Sequence, residues 1–174
     1  MTANPPRRPL PSALNPRDLI PPFELPAVNR SGTIQSWQYK QRKHLVILFF
    51  PGASCSACCQ RLLDFAQQYP HYQSVDTEIL AVSSGPLEPL QAWLAQTPVP
   101  FPVLQDGEGR VLRRYGGLLP EEPLPVGLFV CDRFGELYTQ TIAADANDLP
   151  SEPEIRDWAG FIDMRCPECF PPEW

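Results

Sequence analysis

The sequence is short of basic residues and has no long hydrophobic run, and each shortage excludes a class of partner. Lysine and arginine total 14 against 20 acidic residues, which gives a formal net charge of −6. Because nucleic acids are polyanions, we expect no nucleic-acid partner. No stretch reaches the roughly 18 apolar residues of a membrane span, and the N-terminus has no apolar signal segment. We therefore expect a cytoplasmic protein that does not bind a membrane.

Several catalytic patterns are also absent. The chain has no glycine-rich phosphate loop, no dinucleotide-binding fingerprint and no serine–histidine–aspartate arrangement, so we expect no cofactor. Histidine occurs only twice, as His44 and His71. A lone histidine at the end of an element is most often a polar surface residue, and we expect this of both.

Proline, in contrast, is abundant: the chain has 23, and eight of them lie within the first 26 residues. Proline removes backbone donors, and the first residues offer little apolar surface to order them. We therefore predict a flexible tail over residues 1–16. The length allows one domain with its own core, predicted over residues 17–165, followed by a C-terminal tail over residues 166–174.

Strand and helix patterns alternate along the domain. The continuous apolar run HLVILFF (44–50) predicts a central strand that is covered on both faces. A helix is predicted directly after it, and we expect Pro70 to end that helix. The next elements are predicted as a strand over 78–84, a helix over 87–95, a strand over 101–106 and a helical turn over 111–117. A hairpin of 126–132 with 136–143 follows. A capping box of Ser151 and Glu154 opens the last helix. This order predicts an α/β fold with a mixed sheet between helices.

Three of the six cysteines lie in PGASCSACCQ (51–60), directly after the central strand. Cys55 and Cys58 fall in the first turn of the predicted helix, where free N–H groups and the dipole favour a thiolate. Their spacing places both sulfurs on the same side of the helix start, so the two can form a disulfide without unfolding. We predict a redox-active pair, and we expect Cys59 and Cys131 to be small buried hydrophobic residues.

This layout resembles the thioredoxin-fold superfamily and, within it, the peroxiredoxins of the AhpC/TSA family. The family motif is Pro-x-x-x-Thr-x-x-Cys after such a strand. Pro51 stands at its proline, Cys58 at its peroxidatic cysteine, and Cys55 in place of the threonine. FELPAVNRSG is similar to the family's entry hairpin, FPVLQDGEGRVLRRYGG to its segment of strand, turn and helix, and VGLFVCDRFGEL to the strand pair after that segment. The resemblance covers roughly residues 17–163. It implies a thioredoxin-like three-layer α/β/α fold with a central mixed sheet and a peroxiredoxin-type N-terminal hairpin.

The chain also departs from the family pattern. Peroxiredoxins carry an arginine just before the strand that corresponds to LFVCD, and LPVGLFV has none, while Arg113 and Arg133 have no predicted place in the site. The Cys-x-x-Cys spacing is that of thioredoxins, which also have a cis-proline before the facing strand. Pro125 is the candidate for that proline.

The resemblance leaves two reactions open. In the first, Cys58 attacks a peroxide, Cys55 condenses with the resulting sulfenic acid, and a thioredoxin- or glutaredoxin-like reductant opens the disulfide. In the second, Cys55 attacks a substrate disulfide and Cys58 resolves the mixed disulfide. A non-enzymatic thioredoxin-fold module, with a structural zinc or cysteine site, is the third alternative. The family also allows a homodimer.

A second Cys-x-x-Cys pair, Cys166 and Cys169, follows the last predicted helix. It is a possible secondary redox pair that exchanges electrons with Cys55 and Cys58. A zinc site built from both pairs is an alternative, although the separation is unlike that of a compact zinc ribbon. A structural role, or a metal site shared between chains, is also open.

Overall fold

A computed structural model describes residues 8–120 and 123–165 of the chain, and its centre is a five-stranded mixed sheet. The strands are β1 (Glu24–Pro26), β2 (Thr33–Gln35), β3 (His44–Phe50), β4 (Thr77–Ser83), β5 (Val103–Gln105), β6 (Val126–Cys131) and β7 (Leu137–Ala143). The helices are α1 (Ser56–Ser74), α2 (Leu87–Gln96), α3 (Arg110–Gly116) and α4 (Glu152–Met164), with short 3-10 helices at Ser36–Tyr39 and Ala146–Asp148.

The central sheet has the strand order β5-β4-β3-β6-β7, and β1 and β2 form a separate antiparallel hairpin. Strands β3, β4 and β5 are parallel, whereas β6 and β7 are antiparallel to their neighbours. All seven residues of β3 are buried, because helices cover both faces of the sheet. Side chains of α1, α2 and α4 pack on one face, and side chains of α3 and the hairpin pack on the other. The predicted α/β class and mixed sheet are confirmed.

Helix α1 does not end at Pro70, so that prediction was wrong. The helix continues to Ser74, although proline removes one backbone hydrogen bond within it. The last turn is held by tertiary contacts of Tyr72, whose side chain is fully buried. Its ring lies edge-on to Phe65 with centroids 5.9 Å apart, and its hydroxyl donates to Glu152 Oε1 at 3.0 Å. Burial of this aromatic side chain outweighs the local cost of the proline.

His44, at the start of β3, is buried rather than a surface residue, which also corrects the prediction. Only 3% of it is exposed, and its Nε2 lies 3.2 Å from Arg133 Nη2 and 3.5 Å from Asp163 Oδ1. Burial, and then the positive charge of Arg133, lower the pKa of His44, against the opposing effect of Asp163. The neutral ring therefore accepts a hydrogen bond from Arg133, and Arg133 in turn pairs with Asp163 at 3.2 Å.

Part of the segment predicted to be a flexible tail packs on the domain. Leu10 N donates to Ile142 O at 2.7 Å, and Ala13 N donates to Tyr115 O at 3.1 Å. Leu10 and Leu14 also pack against the core on the α3 face of the sheet. The difference arises because two leucines among the prolines supply enough apolar surface to dock the segment.

The second cysteine pair, Cys166 and Cys169, lies outside the described residues. Across residues 8–120 and 123–165, no helix combines the length and the apolar character needed to cross a membrane. In the same ranges, histidine, cysteine and acidic side chains do not gather in threes in a way that could hold a metal ion.

Candidate active site

The cysteine pair lies on a tight loop that joins the C-terminal end of β3 to α1. The loop reverses direction within Pro51–Cys55, and Gly52 takes a φ of +104°, which favours glycine. Cys55 is the N-cap residue of α1. Its N–H donates to Gly52 O at 3.2 Å, and its carbonyl accepts from Cys59 N at 3.0 Å. The first helical turn therefore starts directly at the first cysteine of the pair.

Cys55 and Cys58 are joined by a disulfide, with their Cα atoms 5.2 Å apart. Cys58 N also lies 3.2 Å from Cys55 Sγ, which accepts a hydrogen bond as an N-cap side chain does. The sulfur of Cys55 therefore occupies the position at which backbone N–H groups of a helix start stabilise negative charge.

The two sulfurs differ in their access to solvent. Cys55 is half-buried, whereas only 1% of Cys58 is exposed and its side chain belongs to the core below α1. Cys55 is therefore the more accessible cysteine of the pair.

The other two cysteines of the described chain are buried thiols. Cys59 Sγ contacts Ala53 O at 3.7 Å, and Cys131 is fully buried in β6. Burial raises the pKa of the Cys59 thiol, and burial raises that of Cys131 strongly. Both remain protonated at neutral pH and are poor nucleophiles, in agreement with the predicted packing roles.

The support beneath the cysteine loop comes from the segment after β4, which the sequence pattern did not predict. Ser84 N donates to Phe50 O at 3.0 Å, and a Cβ built on Gly85 would lie 2.0 Å from the carbonyl oxygen of Pro51. Only glycine fits at Gly85, because the two loops touch through their backbones. The available signal was the Ser-Ser-Gly-Pro sequence at the end of a buried strand, which marks a tight turn.

Pro125 lies directly before β6, the strand next to β3. The last antiparallel pair at this end of the two strands joins Phe49 with Gly127. Pro125 therefore lies at the same end of β3 as the cysteine loop.

Two arginines make their contacts away from the cysteine loop. Arg133 lies at the other end of β3, where it pairs with Asp163. Arg61, one helical turn after Cys58, donates to the carbonyl oxygens of Pro150 and Ala146.

A mixed sheet of this order, with a Cys-x-x-Cys disulfide at a helix start, defines a thiol-dependent redox protein of thioredoxin-like fold. The model of the AhpC/TSA family matches residues 16–140, and the chain belongs to that family. The family, and the predicted class of thiol peroxidase or thiol-disulfide oxidoreductase, are thereby confirmed.

Comparisons with individual proteins agree with this membership. The chain is 28% identical over 134 residues to YkuU of Bacillus subtilis, which bears a provisional peroxiredoxin name, covering 70% of this chain and 74% of that protein. It is 31% identical over 100 residues to alkyl hydroperoxide reductase E of Mycobacterium tuberculosis, covering 56% of this chain and 65% of that protein.

A likeness to a solved structure confirms the thioredoxin-like fold. A protein of Chlorobium tepidum, assigned provisionally as the thiol:disulfide interchange protein DsbE, superposes with a TM-score of 0.70 at 21% identity. The alignment covers 88% of this chain and 100% of that chain.

Proposed function

We propose that this protein reduces peroxides through Cys58 and Cys55. The observation that carries the proposal is the disulfide between them in the first turn of α1. It is the oxidised product that such a reaction leaves, and it lies at the start of an intact helix. Membership of the AhpC/TSA family and the names of its relatives support a peroxide as the substrate.

The reaction balances with these two thiols and one external reductant. Cys58 thiolate attacks a peroxide oxygen, an S–O bond forms as the O–O bond breaks, and the leaving alkoxide or hydroxide takes up a proton to become an alcohol or water. Cys55 thiolate then attacks the sulfenic sulfur, the S–S bond forms as the S–O bond breaks, and the leaving hydroxide takes up a proton to become water. A dithiol partner of the thioredoxin or glutaredoxin type returns two electrons by disulfide exchange.

The exposure of the sulfurs favours a second candidate, the reduction of protein disulfides. Cys55 is the accessible thiol and sits at the N-cap, where backbone N–H groups favour its thiolate. It could attack a protein disulfide to form a mixed disulfide, which Cys58 then resolves from below. The two reactions use the same residues in opposite order.

The test is the rate at which fully reduced protein consumes hydrogen peroxide and an alkyl hydroperoxide, relative to free cysteine at the same pH. We expect the protein to be far faster and Cys58→Ser to abolish the difference. Cys55→Ser should keep the first step and accumulate a sulfenic acid on Cys58, which dimedone traps. All variants carry Cys166→Ser and Cys169→Ser, so that only the first pair can react.

The matched control is Cys59→Ser, which removes a thiol adjacent to Cys58 that is buried and has a raised pKa. It should leave the rate unchanged. If the protein is no faster than free cysteine, the peroxidase proposal is wrong. A disulfide substrate that is reduced only when Cys55 is present would then establish the second candidate.

We infer that Cys166 and Cys169 do not act with the first pair in the same chain. Met164 shares a surface groove with His71 and Val75, at the opposite end of α1 from Cys58. Seventeen helical steps, from Cys58 to Val75, span about 25 Å. The five residue steps from Met164 to Cys169 reach at most about 18 Å. This argues against a zinc site made by both pairs of one chain and favours a separate role, between chains or with the reductant.

The cytoplasmic location and the homodimer remain predictions. Fractionation of cells that produce the tagged protein tests the first. Sedimentation of the reduced and the oxidised protein tests the second.

A further inference from the structure

We propose that Gln105 is a positioning residue for the Cys55–Cys58 pair, holding the loop that carries Cys55 in the geometry in which the disulfide closes. The inference rests on the proposed redox function of this pair. Gln105 lies on β5, about 50 positions after Cys55 in sequence.

Gln105 is the last residue of β5. It lies at the end of the sheet that carries the cysteine loop, where the parallel strands have their C-termini. The parallel register pairs Phe50 with Ser83, and Ser83 with Gln105, so the three form one row at the C-terminal ends of their strands. Gln105 Nε2 donates to Gly85 O at 2.7 Å. The side chain thus ties the end of the edge strand to the loop after β4.

Gly85 passes this restraint on to the cysteine loop. Its backbone lies against Pro51 and Gly52, with a distance of only 3.0 Å from its ideal Cβ position to Gly52 Cα. Gly85 N also lies 3.2 Å from Ser83 Oγ, which accepts its hydrogen bond. Gly52 O in turn accepts from Cys55 N. A continuous series of contacts therefore runs from Gln105 through Gly85 and Gly52 to Cys55.

The other end of the Gln105 amide, like His44 Nδ1, is a buried polar atom. Gln105 Oε1 is buried and has no hydrogen-bond partner among the described residues. A buried acceptor without a partner lowers stability, and an apolar side chain of the same size would avoid this loss. Such costs occur most often at functional sites.

The restraint acts differently on the two redox states. In the oxidised protein the disulfide itself fixes the loop, so the hydrogen bond from Gln105 adds little order. In the reduced protein the loop between Phe50 and Ser56 depends on Gly85 for its position. Loosening it lowers the effective concentration of one thiol at the other, and the disulfide becomes easier to reduce. Gln105 thereby favours the oxidised form.

The experiment measures the equilibrium constant of the Cys55–Cys58 disulfide against glutathione, with acid trapping and mass spectrometry, in protein that carries Cys166→Ser and Cys169→Ser. Gln105→Met keeps the length of the side chain and removes both the donor and the unpaired acceptor. We expect the constant for disulfide formation to fall about fivefold, as for the loss of one typical hydrogen bond. The melting temperature of the reduced protein should change little, since the unpaired acceptor disappears together with the donor.

The matched control is Gln73→Met, because Gln73 Nε2 also donates to a backbone carbonyl, Thr77 O at 2.8 Å, at the other end of the sheet. It should leave the glutathione equilibrium unchanged. Equal shifts in both variants, or no shift in Gln105→Met, would overturn the proposal. If Gln105→Met does not fold, Gln105→Glu serves in its place, since a carboxylate cannot donate to Gly85 O and should shift the equilibrium in the same direction.

The assay does not depend on peroxide turnover. A wild-type protein that forms the disulfide but fails to reduce peroxides or protein disulfides would contradict the proposed function and leave the role of Gln105 testable. A normal turnover with an unaltered equilibrium in Gln105→Met would contradict only the role of Gln105.

Discussion

The two ends of β3 each carry a polar arrangement near the core, and the two arrangements have opposite effects on charge. At the C-terminal end, Cys55 lies half-buried at the start of α1, where N–H groups favour a thiolate. At the N-terminal end, His44 is almost fully buried, and burial together with Arg133 keeps it neutral. The C-terminal end favours the negative charge of a reactive thiolate, whereas the N-terminal end disfavours the positive charge of a buried imidazole.

The support of the two ends also differs. The cysteine loop is held by close backbone contacts, with Gly85 against Pro51 and Ser84 bonded to Phe50. The histidine end is held by side chains, where Arg133 joins His44 to Asp163 on α4. Backbone contacts tolerate almost no added volume, whereas side-chain contacts respond to protonation. The ends should therefore fail under different perturbations.

The largest effect should come from Gly85→Ala at the cysteine end. The added Cβ would lie 2.0 Å from the carbonyl oxygen of Pro51, so one loop must move. We expect a loss of about 3 kcal/mol or more in the free energy of unfolding of the reduced protein, measured with urea. Gly160→Ala on α4 is the control, because its Cβ would meet nothing within 4 Å. It should stabilise the protein by roughly 0.5–1 kcal/mol. If both variants changed the free energy of unfolding equally, the close backbone contact of Gly85 with Pro51 would be contradicted as the cause.

A smaller effect, confined to acid, is expected at the histidine end. The folded pKa of His44 lies below its unfolded value of about 6.5, so the unfolded chain binds more protons in this window. The contribution of His44 to the free energy of unfolding should be constant above about pH 7.5. It should fall as pH decreases through 6.5 toward the folded pKa, by at most about 1.4 kcal/mol per pH unit.

The measurement is urea unfolding of the wild type and of His44→Gln between pH 5 and 8. The difference between their free energies of unfolding is plotted against pH. The difference isolates His44 from the carboxylates, including Asp132 and Asp163, whose charges act on it. His71→Gln is the control, since His71 is exposed. A flat difference curve for His44→Gln would show that the ring is not kept neutral.

The smallest effect is expected in α1, which runs between the two ends. Pro70→Ala restores a backbone donor within the helix and should stabilise the protein by about 1 kcal/mol, with part of the gain offset by a more flexible unfolded chain. Pro153→Ala is the control, because Pro153 lies in the first turn of α4, where a missing donor costs nothing. A loss of stability in Pro70→Ala would mean that the proline shapes the end of α1 rather than straining it.

Much of the fold follows from local sequence. The run 44–50 is a buried central strand with the predicted limits, and Ser151 with Glu154 forms the predicted capping box of α4. The strand-to-helix turn places Cys55 and Cys58 together, because their spacing alone fixes the geometry of a helix start. The burial of Cys131 in a strand was likewise evident from its apolar neighbours.

Other features depended on distant segments, which local patterns do not describe. Pro70 stays within α1 because Tyr72 binds Glu152, which is 80 residues away in sequence. His44 is buried because Arg133 and Asp163 arrive from a turn and from the last helix. The different exposure of the two sulfurs, and the contact of Gln105 with Gly85, arise only when three strands end side by side.

The sequence by itself therefore determined the order of strands and helices and which two thiols can pair, since both depend on residues a few positions apart. Tertiary structure alone decided where α1 ends, which cysteine of the pair meets solvent, that His44 is buried, and what holds the cysteine loop. The physical reason is that burial and hydrogen bonding of a polar group depend on the partners that other segments bring to it.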